Sequence, residues 1–140
     1  MTVTDGVSSG QETVFTEFLL PETVVHEGGT GPAIDVASCP DALILITLGI
    51  TRIVEQQSLD LTVWGSADGS EWGAKPLLTF PQKFYCGTYQ MLFDLRDHPS
   101  VRTLRVKWQV NQWGKGDSKP AFGIYVVARQ TPRYAIASSA

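Results

Sequence analysis

The chain has 140 residues, which suits a single domain with its own hydrophobic core. Hydrophobic residues make up 43% of it and charged residues 18%, below the roughly 25% typical of globular chains, so we expect part of the surface to be covered by other protein. Residues 42–50, the longest apolar stretch, are about half as long as the ~20-residue span of a membrane helix, and residues 1–10 are polar and acidic, unlike a secretion signal. We therefore expect no membrane association and synthesis in the cytoplasm.

Charge is distributed unevenly along the chain. Residues 1–60 carry nine acidic residues and one basic residue, a net charge of −8, whereas residues 61–140 carry ten basic and five acidic residues, a net charge of +5. Such halves can neutralise each other within one interleaved domain, which is the favoured interpretation, or between neighbouring subunits.

The first part of the chain is typical of short strands separated by turns. Residues 12–20 predict a strand that ends at Pro21, and residues 22–27 predict a second, short strand. The glycines and proline of residues 26–32 predict a loop, and residues 33–37 predict a short edge strand.

Residues 42–55 form the strongest predicted element. Their apolar run does not by itself separate a buried helix from a buried strand, but their many β-branched residues favour a strand. Gly49 lies in the middle of this run, where a glycine is typical of a β-bulge that bends a long strand.

A strand and a turn follow. Residues 59–64 alternate, so that Leu59, Leu61 and Val63 share one face and Trp64 lies on the other. The pair Asp68-Gly69 is typical of hairpin turns. We expect it to connect the strand ending at Trp64 to a strand that begins near Trp72.

The remaining predicted strands are residues 75–80 (ended by Pro81), 88–95, 101–110 and 121–129. The third of these alternates clearly, and the residues expected on its inward face are Leu104, Val106, Trp108 and Val110. About eight strands without a convincing helix predict an all-β fold, a single antiparallel β-sandwich or jelly roll. In this scheme residues 11–130 form the sandwich, residues 1–10 a flexible or assembly-bound arm, and residues 131–140 a C-terminal tail.

No catalytic, metal or cofactor motif is recognisable in the sequence. His26 and His98 are the only histidines, and neither lies in a nucleophile motif. Cys39 and Cys86 are far apart and lack the paired spacing of a zinc site. We expect no enzymatic activity, no metal and no cofactor, and we expect reduced thiols, with a disulfide between the two cysteines left open.

A small basic stripe, Arg102, Arg105 and Lys107, lies beside Trp108. Because the first half of the chain is acidic, a broad phosphate-binding surface is disfavoured, and we expect no nucleic-acid partner.

Aromatic residues are the candidate interaction residues, either as anchors of a subunit interface or as platforms that stack on sugar rings. The interface interpretation is favoured, and we expect Trp64 and Trp113 to be the most exposed. The candidates are Trp64, Trp72, Tyr85, Tyr89 and Trp113.

Residues 63–72, Val-Trp-Gly-Ser-Ala-Asp-Gly-Ser-Glu-Trp, resemble the strand, Ser-x-Asp-Gly turn and tryptophan of discoidin-like (galactose-binding-like) sandwiches. Residues 101–106 are similar to the arginine-containing strand further along those domains, so the resemblance covers residues 59–110. The same hairpin also resembles that of phage structural proteins. The resemblance implies a β-sandwich but no particular ligand, because the ligand-binding loops of the family have no counterpart here.

Together these features predict a non-enzymatic structural or assembly subunit: a shell, decoration or tail component of a virion that forms a homo-oligomer or joins a larger protein assembly. The alternative is a discoidin-like carbohydrate-binding module, which would require an exposed aromatic cluster and a monomeric protein.

Overall fold

Residues 15–53, 57–112 and 121–132 are described by the computed structural model, and they form two packed antiparallel β-sheets. A single turn of 3-10 helix, Leu95–Asp97, is the helical element of this part of the chain. The strands are β1 (Thr16–Val25), β2 (Gly29–Thr30), β3 (Ile34–Asp35), β4 (Leu43–Arg52), β5 (Gln57–Ser66), β6 (Leu78–Lys83), β7 (Gly87–Asp94), β8 (Thr103–Gln112) and β9 (Phe122–Thr131).

The strand order is that of a jelly roll. Sheet A has the order β1-β9-β4-β7, and sheet B has the order β2-β8-β5-β6, with β3 pairing β8 further along. The chain therefore crosses repeatedly from one sheet to the other, and β2 and β3 together occupy the position of one strand. This arrangement confirms the predicted all-β sandwich of about eight strands.

The core lies between the two sheets and follows the period of two expected for strands. The predicted inward face of β5 is confirmed, because Leu59, Leu61 and Val63 are fully buried. Each such side chain stabilises the fold by about 1.5–3 kcal/mol relative to an exposed position. Sheet A contributes a matching layer whose central members are Ile44, Ile46, Leu48, Ile124 and Val126.

Two prolines that were expected to end strands lie inside them. Pro21 is within β1 and Pro81 within β6, and in both pairings the register shifts opposite the proline. Both strands are at the edge of a sheet. An edge strand tolerates proline, because the missing N–H can face away from the neighbouring strand.

Gly49 does not form the predicted bulge. It pairs with Tyr125 in regular register, and the register shift of the β4–β9 pair falls between Gly123 and Ile124. A Cβ at position 49 would overlap the ring of Tyr125. The glycine therefore serves the close approach of an aromatic ring rather than a bend.

The turn predicted at Asp68-Gly69 is present, since the chain bends there and Gly69 has a φ of 83°. The strand expected near Trp72 is not, because β6 begins only at Leu78. Residues 67–77 form a longer connection in which Gly73 also has a positive φ, 77°. Because a second residue adopts the left-handed conformation, this connection is not the tight hairpin that the sequence predicted.

The predicted inward face of β8 is confirmed at Leu104 and Val106, which are fully buried. Trp108 and Val110 are half-buried and pack against the edge of the core. Trp108 lies where β8 meets the short β2, and its indole Nε1 donates to the carbonyl oxygen of Glu27 at 3.0 Å.

Cys39 and Cys86 are both free, so the disulfide left open by the sequence is not formed. Burial raises the pKa of the half-buried Cys39 thiol. The described residues contain no helix long and apolar enough to cross a membrane and no cluster of three metal-ligating side chains. The predicted arm, residues 1–10, and residues 133–140 of the predicted tail lie outside the described residues.

Candidate interaction surfaces

Two of the predicted aromatic residues, Trp64 and Trp72, lie with two cations on the outer face of sheet B. Trp64 is directly opposite Arg105 in the β5–β8 pair. The Arg105 guanidinium carbon lies 4.1 Å from the centroid of the Trp72 ring, and the Lys107 ammonium lies 4.8 Å from that of Trp64. We call Trp64, Trp72, Arg105 and Lys107 the Trp–cation row. Each contact of this kind contributes about 0.5–1 kcal/mol at a partly exposed site.

The contacts within the Trp–cation row leave less aromatic surface accessible to a partner than the sequence indicated. Trp64 is half-buried rather than exposed, and its indole Nε1 already donates to the hydroxyl of Thr62 at 2.8 Å. With its donor satisfied and Lys107 against its ring, Trp64 is a poor anchor for a partner. Trp113, the other residue expected to be exposed, lies outside the described residues.

Tyr85 and Tyr89 form a separate cluster at the connection between β6 and β7. The Tyr89 hydroxyl donates to the carbonyl oxygen of Tyr85 at 2.6 Å, and the Lys83 ammonium lies 4.2 Å from the centroid of the Tyr89 ring. Tyr85 itself is 76% exposed. Because Trp72 and Tyr85 lie beyond opposite ends of β6, the predicted aromatic residues do not form one platform.

The outer face of sheet A carries an apolar surface to which none of the five predicted aromatic residues belongs. Leu45 of β4 is directly opposite Leu92 of β7, and the rings of Phe18 and Tyr125 meet edge to face with their centroids 6.4 Å apart. Phe18 is 50% exposed and Leu92 42%. We define this surface as the apolar face, and its members are Phe18, Val24, Leu45, Leu92, Tyr125 and Val127.

A signal for the apolar face was present in the sequence. Residues 42–50 are apolar at both odd and even positions, which is typical of a strand covered on both sides. In the structure the even positions of β4 fill the core, whereas Leu45 and Thr47 lie half-buried on the outer face. Exposed apolar side chains on one sheet face make this surface a candidate protein–protein contact.

A cleft of about 510 Å³ lies at the end of the sandwich, between the β5–β6 and β7–β8 connections. Its lining combines the Trp72 indole with several charged and polar side chains. The side chains that carry its chemistry are Glu71, Trp72, Lys75, Asp97, His98 and Ser100.

Hydrogen bonds within the β5–β6 connection hold one wall of the cleft in place. The Ser66 hydroxyl accepts from the backbone N–H of Gly69 at 2.8 Å. The Asp68 carboxylate accepts from the backbone N–H groups of Ser70 at 2.8 Å and Glu71 at 2.9 Å. These bonds favour the ionised form and hold the pKa of Asp68 well below its usual range.

No protein-family model matches the chain, and no curated protein matches it. Among solved structures it is similar to the structure of infectious bursal disease virus, Gx strain, with a TM-score of 0.53 at 12% identity. That alignment covers 86% of this chain and 33% of the viral chain. The VP2 subviral particle of infectious bursal disease virus gives a TM-score of 0.47 at 12% identity over the same shares. At 12% identity the likeness to the first structure shows a shared β-sandwich fold and nothing more. The discoidin-like resemblance is not confirmed by these comparisons.

Proposed function

We propose that the chain is a non-enzymatic structural subunit of a virion-type assembly, and that it packs its apolar face against another copy of itself. The observation that carries the proposal is the exposure of Phe18, Val24 and Leu92 on the outside of sheet A. Exposed side chains of this size on one sheet face favour burial at a subunit contact, where apolar area supplies most of the association energy. The fold shared with a chain of infectious bursal disease virus supports the virion part of the proposal.

A second copy is the partner that best fits this face. The core of the face is uncharged, so its partner must be apolar at the same place. The exposed charges of its strands have both signs: Arg129 of β9 pairs with Leu45 of the face, and Glu22 lies on β1 between Phe18 and Val24 in sequence. A strongly charged partner would gain little there, whereas a second copy brings the same mixed signs and the same apolar centre.

The proposal assigns no catalytic role to the histidines. His98 lies against Phe93, with the ring centroids 5.0 Å apart and the planes nearly parallel, which is a packing role. His26 lies at the other end of the sandwich, directly after β1.

The test is the native mass of the protein by light scattering at high protein concentration and at two salt concentrations. We expect the wild-type protein to be oligomeric at both, because apolar contacts are not screened by salt. Leu92→Lys, which places a charge within the apolar face, should shift the mass to that of a monomer. The matched control is Thr79→Lys, at an exposed position of β6 on the other sheet, which should leave the mass unchanged.

Three results would contradict the proposal. One is a wild-type protein that remains monomeric at the highest concentration. Another is a Leu92→Lys variant that associates like the wild type. The third is dissociation caused by Thr79→Lys but not by Leu92→Lys, which would move the contact to sheet B.

A further inference from the structure

We propose that β7 pairs with β7 of a second copy, antiparallel about a two-fold axis, so that two four-stranded sheets A become one continuous sheet. This contact is distinct from packing through the apolar face and does not depend on it. A contact in which one surface meets itself closes at two copies. An assembly larger than a dimer therefore needs a second contact, and β7 is suited to supply it.

β7 differs from the strand at the other border of sheet A. β1 contains Pro21 and two acidic residues, Glu17 and Glu22, and its pairing with β9 has register shifts. β7 pairs with β4 without a shift, and residues 87–93 include no proline and no charge. Protein sheets protect their borders with prolines, charges or bulges, because a regular border binds another strand through its backbone groups. β7 lacks these features, so its outer side favours a strand as partner.

The strand that fits is a second β7, in an antiparallel register centred on Gln90. Gln90 is the midpoint of the uncharged residues 87–93, and its side chain lies with those of Thr88 and Leu92 on the outer side of sheet A. An axis at Gln90 places Thr88 opposite Leu92 of the second copy and leaves Asp94 beyond the uncharged run. The two Gln90 amides face each other there, and each amide has both a donor and an acceptor.

The residues that flank β7 are complementary in the same register. Phe84 and Tyr85 precede the strand, are 42% and 76% exposed, and have ring centroids 6.5 Å apart. Arg96 follows the strand, and its side chain is 56% exposed, with the guanidinium 3.7 Å from the Asp94 carboxylate. Positions 84 and 96 are equally far from Gln90 in sequence. Antiparallel pairing therefore brings the aromatic pair of each copy to the arginine of the other, and arginine binds the faces of aromatic rings.

The pairing also affects the apolar face. Residues that are opposite each other in an antiparallel pair lie on the same side of the sheet, so the apolar faces of the two copies lie side by side. Leu92 belongs to both surfaces, and a charge at this position disrupts both contacts. The joined face is twice as wide, and a second pair can pack on it. This last step, unlike the pairing itself, rests on the proposed function.

Disulfide cross-linking tests the pairing. The starting chain carries Cys39→Ser and Cys86→Ser, which removes both native thiols. Gln90→Cys should then give a covalent dimer under mild oxidation, because residues at the axis have Cα atoms about 4.5–5.5 Å apart, within the range of a disulfide. Thr88→Cys is the matched control on the same side of the same strand. Its symmetry mate lies about 13 Å away, so the dimer yield should be about tenfold lower.

Two further variants separate this contact from the apolar face. Phe18→Lys, on β1 at the opposite border of sheet A, should abolish association through the apolar face and leave the Gln90→Cys cross-link unchanged. Arg96→Glu should lower the cross-link yield several-fold. If the face contact does not exist, the cross-link still forms, so the two proposals fail separately.

Thr79→Cys, exposed on the proline-containing β6, measures the yield from random collision. The pairing is overturned if Gln90→Cys gives no more dimer than Thr79→Cys, or if Phe18→Lys abolishes the cross-link. The register is overturned if Thr88→Cys cross-links as well as Gln90→Cys, or if Arg96→Glu leaves the yield unchanged. Urea denaturation of each variant checks that it is folded.

Discussion

The ring of Tyr125 lies on the backbone of Gly49, its partner across the β4–β9 pair, in space that a side chain at position 49 would fill. Gly49→Ala should therefore displace the ring and destabilise the protein by about 1–3 kcal/mol, measured by urea denaturation. In a Tyr125→Ala background the same change should be neutral or stabilising by roughly 0.5–1 kcal/mol, because alanine loses less backbone entropy than glycine. Equal losses in both backgrounds would mean that the ring is not the cause.

Gly69 has a φ of 83° and no atom within 4 Å of the position that a Cβ would occupy. Any cost of substitution there comes from the backbone and not from crowding. Gly69→Val should destabilise by about 1–2 kcal/mol, and Gly69→Asn, which tolerates the left-handed region, should cost less. Similar denaturation midpoints for the valine and asparagine variants would exclude backbone strain as the explanation.

Asp68 makes the stability of the β5–β6 connection dependent on pH. Its folded pKa is held below the value of about 3.9 expected in the unfolded chain. The ionised carboxylate therefore stabilises the folded state fully above that unfolded value, and this contribution is lost as the pH falls below it.

Wild type and Asp68→Asn should accordingly differ in stability at neutral pH, and the difference should shrink progressively as the pH falls below about 4. Urea denaturation of both proteins across this range measures the difference. A gap that stays constant with pH would show that the hydrogen bonds do not depend on the charge of Asp68.

Leu104 and Trp108 test how far the core extends along β8. Leu104 is fully buried, so Leu104→Ala should cost about 2–5 kcal/mol. Trp108 is half-buried, and Trp108→Ala should cost less than the roughly 3–5 kcal/mol of a fully buried tryptophan. A larger loss for Trp108 than for Leu104, by chemical denaturation, would place the centre of the core nearer to β2.

The sequence predicted those features that depend on neighbours along the chain. The period of two fixed the inward faces of β5 and β8, since alternation is a property of a single strand. The prediction that strands end at Pro21 and Pro81 was wrong, because tolerance of proline depends on whether a strand is at a sheet edge. Whether a strand lies at the edge depends on the strand order of the sheet, which no local sequence pattern indicates.

The candidate surfaces, too, could be predicted only where they depend on residues that are neighbours along the chain. The apolar run of residues 42–50 indicated a strand covered on both sides, but the members of the apolar face from β1, β7 and β9 become neighbours only through the register of sheet A. Likewise Trp72 and Trp64 each contact a cation, because β8 places Arg105 beside the first and Lys107 beside the second. Aromatic residues alone did not show which of them would be occupied by contacts within the chain.

The two internal prolines also limit how copies of this chain can join. Pro21 in β1 and Pro81 in β6 each remove a backbone donor from an outermost strand, and β2 and β3 are too short to template a long ladder. Within the described ranges, β7 is the one long outermost strand without a proline. Among the described strands, three of the four sheet borders therefore disfavour continuous sheet growth from molecule to molecule, which agrees with the proposed contact through a face. Of the strands that the structure describes, β7 is the one from which fibrous, strand-by-strand aggregation could start.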